Sequence, residues 1–138
     1  VRPAVHLPND LKGERAGTLW LGVYASSKDV PGWLGMSGPL SRSVAAEWVR
    51  NNADFVDVSS DSFLTLAALA ASGKGKTLLP TFIGDNWPGL TCLEKPSKLP
   101  HVPLWVASHV DFANSGRLKR ARRFIVGKLK EMPELSKP

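Results

Sequence analysis

The run Thr18-Leu19-Trp20-Leu21-Gly22-Val23-Tyr24-Ala25 presents apolar side chains to both faces of an extended backbone. A strand of that kind must be covered on both sides, so it belongs in an α/β sheet layered with helices. The chain is large enough to cover it. With 138 residues, 43% of them apolar, folding hides on the order of two-thirds of the surface that the unfolded chain exposes. Such a core needs no disulfide or metal, and the single cysteine, Cys92, leaves no intrachain disulfide to form. One cysteine fits a reducing compartment, and the expected location is cytoplasmic. No apolar run is long enough to span a bilayer, and no charged stretch followed by an apolar one opens the chain as a signal peptide would. The opening Val1-Arg2-Pro3-Ala4-Val5-His6-Leu7 reads as the middle of a strand, so the chain is expected to be a piece of a longer polypeptide.

Strands are predicted over residues 1–7 and 17–25, separated by the turn residues Pro8-Asn9-Asp10 and Lys12-Gly13. Ser26 and Ser27 would cap a short helical turn ending at Pro31-Gly32, and residues 32–40, with Gly32, Gly35, Gly38 and Pro39, read as a loop. A helix is expected over 41–51, capped by Ser41 or Ser43, with Val44, Ala45, Trp48 and Val49 on one face. A strand over 54–58 leads to Ser59-Ser60-Asp61-Ser62, a cluster of capping oxygens before the strongest helix, 63–71, which Gly73 ends. Beyond it lie a buried strand over 77–80, a turn or short helix over 82–87, an edge strand over 91–94 and a Pro- and Lys-rich link over 95–100. An apolar strand over 102–108 follows. Strands alternating with helices imply an α/β fold with a largely parallel sheet.

The formal charge is +6, but residues 1–113 are neutral, so the whole excess lies in the last 25 residues. There Leu118, Ala121, Ile125 and Leu129 recur at helical spacing with Phe124 beside them, and Arg117, Lys119, Arg120, Arg122, Arg123, Lys128 and Lys130 take the other positions. The pattern is an amphipathic basic helix capped by Ser115. No aromatic is interleaved with the charges and no helix-turn-helix or zinc pattern accompanies them, so a solvated face is preferred to a small basic nucleic-acid-binding module.

No motif in the chain requires catalysis, and no enzyme activity, catalytic residue, metal or cofactor is expected. Gly73-Lys74-Gly75-Lys76-Thr77 lacks the first glycine of a phosphate-binding loop, because Ala70 holds that position, and it precedes a strand rather than a helix. His6, His101 and His109 have no metal-ligand spacing with one another or with Cys92. Ser59, Ser60, Asp61 and Ser62 differ in kind. They join a strand end to a helix N-terminus, where free N–H groups, the helix dipole and hydroxyls attract a carboxylate, and ligands of α/β sheets sit beyond the carboxyl ends of strands. Plain capping by Ser60 or Asp61 accounts for the same residues. Ser26, at a comparable junction, is weighed in the same way.

Three segments in order resemble the effector-binding domain of LysR-type transcriptional regulators. The first is the stretch from Asp61-Ser62-Phe63 through Gly73-Lys74-Gly75 to Leu79-Pro80. The second is Thr81-Phe82-Ile83-Gly84-Asp85 with Pro88-Gly89-Leu90, and the third is Val102-Pro103-Leu104-Trp105-Val106-Ala107-Ser108-His109-Val110-Asp111, followed by an Arg-rich helix. Lys74, Lys76 and Val110 depart from the family pattern. The resemblance implies a periplasmic-binding-protein-like (type II) fold of two α/β lobes with crossover strands, binding a small-molecule effector, an organic acid or aromatic metabolite, between them. It assigns residues 1–25 to a remnant of lobe I with a crossover strand, 26–101 to lobe II, and 102–138 to a return strand and basic helix on an incomplete lobe I. It also implies a homodimer or homotetramer in the full-length protein, DNA contact only through a helix-turn-helix domain outside this chain, and no membrane partner. A solute-binding protein of the same bilobal fold is the alternative. The candidate effector-binding residues are Ser26, Ser59, Ser60, Asp61 and Ser62.

Overall fold

A computed structural model describes residues 1–94, 99–112 and 114–136, so the expected link over 95–100 lies largely outside the described residues. The chain divides into two compact units, one made of Val1–Leu19 with Val102–Pro138 and the other of Trp20–His101. The fold is α/β, as its sequence pattern implies, but the sheet is mixed rather than largely parallel.

In the second unit, β3 (Trp33–Met36) lies parallel to β4 (Val56–Ser60), and Trp33 bridges in parallel to Lys76 at the start of β5 (Thr77–Pro80). The long strand β2 (Leu11–Ala25) contributes residues 20–25, which run antiparallel to β5 on one side and to β6 (Thr91–Glu94) on the other. The strand order is therefore β4-β3-β5-β2-β6. Helices cover both faces, as the doubly apolar run of β2 demands. Leu21 and Val23 pack with Ala45 and Val49 of α1 (Val44–Asn52), and Tyr24 packs with Leu66, Ala67 and Ala70 of α2 (Phe63–Ala71). The Ser43 hydroxyl accepts from the Ala46 N–H at 3.1 Å and starts α1. Gly73, at φ +80°, ends α2 with the Lys74 N–H on the Leu69 carbonyl and the Gly73 N–H on that of Ala70, a left-handed stop that glycine takes without strain. The short α3 (Thr81–Gly84) follows β5 directly.

Several expected boundaries move. Residues 32–40 hold β3 and a 3-10 turn over Gly38–Arg42, not a loop, because β3 sits between two partners and buries Trp33 and Leu34. That pairing also shifts β4 from 54–58 to Val56–Ser60. Residues 26–31 form turns without a helix; the Ser27 hydroxyl accepts from the Asp29 N–H at 3.3 Å.

In the first unit, β1 is only Arg2–Pro3, paired antiparallel with Trp105 and Leu104 of β7 (His101–His109), since Pro3 brings no N–H to extend a ladder. The other neighbour of β7 is β2, which begins at Leu11 and not at Gly17: Lys12 and Gly13, expected in a turn, are strand residues. The terminal helix α4 (Gly116–Lys130) starts at Ser115, whose hydroxyl faces the Leu118 N–H. Its buried residue is Val126, packed with Ala16, Val106 and Leu129. Leu118, Phe124 and Ile125 are exposed, so of the expected stripe Leu129 packs inward and the buried Val126 lies beside it. The formal excess of +6 belongs entirely to this unit.

Tyr24 sets a measurable property of the second unit. Its phenol is 1% exposed and donates to Asp85 Oδ1 at 2.7 Å. Burial first, and then that hydrogen bond to the carboxylate, push the phenol well above the ordinary tyrosine range. The folded state thus holds this proton more tightly than the unfolded state. Its contribution to stability is complete below the unfolded value of about 10 and falls above it by about 1.4 kcal/mol per pH unit. Tyr24 is the only tyrosine, so tyrosinate absorbance in an alkaline titration should appear together with loss of structure. A smooth titration of the folded chain near the ordinary value would contradict this.

Candidate functional site

The parallel strands β3, β4 and β5 end on one rim of the second unit. At β4 the Ser60 side chain is buried, its hydroxyl accepts from the Ser62 N–H at 3.2 Å, and its carbonyl accepts from the Ser37 N–H at 3.0 Å. Ser62 is the N-cap of α2: its hydroxyl accepts from the Thr65 N–H at 3.3 Å, and its carbonyl from the Leu66 N–H. The cap is therefore Ser62, not Ser60 or Asp61. A helix leaves its first four N–H groups without intrahelical partners. Thr65 and Leu66 being served by Ser62, no acceptor stands against the N–H of Phe63 or Leu64 among the described residues. Asp61 is exposed beside Gly38, which turns the chain at φ +56°.

Of the sequence candidates, Ser60, Asp61 and Ser62 come together on this rim. Ser59 and Ser60 are strand residues rather than loop residues. Ser59 points to the opposite sheet face, its Oγ filling the space that a side chain on Gly35 would need. Ser26 lies at the other end of the unit. It follows β2, which is antiparallel to β5, and its Oγ lies 3.6 Å from the position of a Cβ on Gly73, at the C-terminal end of α2. The rim also carries Ser37, Thr81 and Trp20, which no local pattern marked, because strand pairing places them there: β3 with β4 for Ser37, and β2 with the end of β5, which Thr81 follows, for Trp20.

The rim can hold an anion, with two open N–H groups at the positive end of a helix dipole and serine hydroxyls beside them. It brings no nucleophile together with a base among the described residues. Among the described residues, no group of three or more His, Cys, Asp or Glu is placed to hold a metal. Cys92 is half-buried in β6 with its Sγ 3.4 Å from the Glu94 carbonyl. No helix among the described residues is long and apolar enough to cross a membrane.

Neither a protein-family model nor a curated protein sequence matches the chain. Solved structures do. The regulatory domain of MetR, a LysR family regulator from N. meningitidis, superposes with a TM-score of 0.72 at 12% identity, over 98% of this chain and 72% of that one. The regulatory domain of CcmR from Synechocystis, solved in complex with 2-PG, gives 0.67 at 18% identity over 94% and 73%. A probable transcriptional regulator from Pseudomonas aeruginosa gives 0.61 at 18% identity over 91% of this chain, which spans 47% of that longer one. The fold is thus that of the regulatory domains of LysR-type regulators, the periplasmic-binding-protein-like type II architecture.

Proposed function

We propose that this chain is part of the effector-sensing regulatory domain of a LysR-type transcriptional regulator acting in the cytoplasm, and that the rim at Ser60, Ser62, Phe63 and Leu64 receives the carboxylate of a small effector. The observation that carries this reading is the pair of unserved N–H groups at the start of α2, on the rim where the parallel strands end, in a fold shared with regulatory domains. The related CcmR domain was solved with a small ligand, which supports a ligand-sensing use of the fold. In the whole regulator, a homodimer or homotetramer, effector binding would shift the population of domain arrangements and so bias the DNA-binding heads, which lie outside this chain.

The same reading takes the first unit as part of lobe I. Its core rests on Ala16, Val106 and Val126, while Leu118, Phe124 and Ile125 of α4 stand exposed. That is a large apolar face for so small a core, and it suits a lobe to which further strands and helices are added.

The test is a titration of the ¹⁵N-labelled chain with millimolar sodium acetate, benzoate and malonate against sodium chloride of equal ionic strength. The Phe63 and Leu64 amides should shift saturably with at least one carboxylate. Ser62→Ala should weaken that response and cost about 1 kcal/mol of stability by loss of the cap. Shifts confined to the basic face of α4 would sink the assignment of the site.

A further inference from the structure

Trp20 stands where β2 enters the second unit, one residue before Leu21, which pairs with Pro80 at the carboxyl end of β5. Alternation along β2 puts its side chain on the same sheet face as Tyr24, the face that α2 covers. Ser60 shares that face, being paired with Met36, two residues on from Leu34 in the same cluster. Trp20 and the start of α2 therefore look out from one rim and one face.

The indole Nε1 of Trp20 is buried and has no acceptor among the described residues. A buried indole N–H ordinarily finds one, as Trp105 does at 2.9 Å on the Ala4 carbonyl. Against Trp20 lies the ring of His101, with centroids 4.7 Å apart and planes 37° off parallel. His101 is exposed, so its ring has solvent to turn into.

We propose that Trp20 is a ligand-contacting residue of the rim. Its N–H donates to a carboxylate oxygen of the effector, which reaches it when the His101 ring swings off the indole. The inference rests on the effector-sensing reading above and adds a donor outside α2 that selects acids over neutral molecules of the same shape. Among the described residues the resting state leaves this donor unserved, and the bound state serves it. His101 is accordingly a positioning residue whose ring must turn before a ligand reaches the N–H edge of the indole.

The experiment is the same titration, read at the indole N–H resonances of the five tryptophans. Trp20→Phe identifies its resonance by deletion. If that variant does not fold, His101→Ala, a change at an exposed position, marks the same resonance through the lost ring current. The Trp20 indole should move downfield saturably with a carboxylate while the others stay, Trp20→Phe should weaken binding about tenfold, and His101→Ala should respond at lower ligand concentration. A stationary Trp20 indole with shifting Phe63 and Leu64 amides overturns the role of Trp20 and leaves the rim intact. If the amides are stationary as well, both proposals fall. Indoles that drift together with ionic strength report a salt effect and also overturn the assignment.

Discussion

Gly13→Ala should unfold the first unit while the second keeps its structure. A methyl at Gly13 overlaps the Val106 carbonyl oxygen and stands 2.7 Å from the Cα and Cβ of Ala107. The obstacle is largely backbone, which cannot turn aside as a flexible side chain can. Relief requires β2 and β7 to separate, at a cost of about 3 kcal/mol, the upper range for overpacking. The first unit has little to set against this, since its buried apolar cluster is Ala16, Val106 and Val126. Hydrogen exchange should therefore show amides of residues 11–19 and 102–109 losing protection while those of α2 and β5 retain it. Gly127→Ala is the control. Nothing lies within 4 Å of a Cβ there, and alanine in a helix interior is favoured over glycine by about 0.8–1 kcal/mol, so the same added methyl should stabilise. Equal unfolding midpoints for the two variants would refute the close crossing of β2 and β7.

Gly13 also shows where local pattern stops being informative. Lys12-Gly13 carries turn chemistry, yet the glycine is in a strand because a neighbouring backbone passes where its side chain would be. Gly35 is similar: its absent side chain leaves room for Ser59 Oγ and Val56, and reading it as a loop residue hid β3 and displaced β4. Strands whose character lies in their own residues were legible, as at Thr77–Pro80 and Thr91–Glu94. So were the Ser115 cap and, as one of two candidates with Ser41, the Ser43 cap, which need only a hydroxyl three residues before an N–H. The order of three motifs carried the fold even though identity to the solved regulatory domains is 12–18%. The site was half legible. Ser60, Asp61 and Ser62 announce a helix start by composition, whereas Ser26 looks the same locally and lies at the opposite end, because the direction of β2 is decided by its pairing with β5, more than fifty residues away in the chain. In α4 the apolar periodicity is real, but the described core is met by Val126, one step from the stripe, together with Leu129 at the stripe's end.

Gly84→Ala is expected to have the second large effect, and in the other unit. The Tyr24 ring occupies the space above Gly84, so an added Cβ overlaps the ring and lies 2.5 Å from its Cε1. Gly22 crowds the ring from within its own strand, where a Cβ would come 2.8 Å from Cε2. The phenol is tied to Asp85 at 2.7 Å, the residue next to Gly84. The ring thus has no free direction: turning away breaks a part-buried hydrogen bond, and staying forces α3 off the sheet. The expected loss is about 2–3 kcal/mol, read as a lower urea midpoint with an unchanged slope. Because Tyr24 is itself in the buried cluster with Leu34, Leu66 and Leu79, Tyr24→Leu will destabilise on its own account, and the informative quantity is the coupling between the two changes. In the Tyr24→Leu background the alanine no longer meets a ring, so its additional cost should fall to a small fraction of its cost in the parent chain. If the two losses simply add, the ring is not what the glycine makes room for, and the close packing of α3 on β2 has another cause.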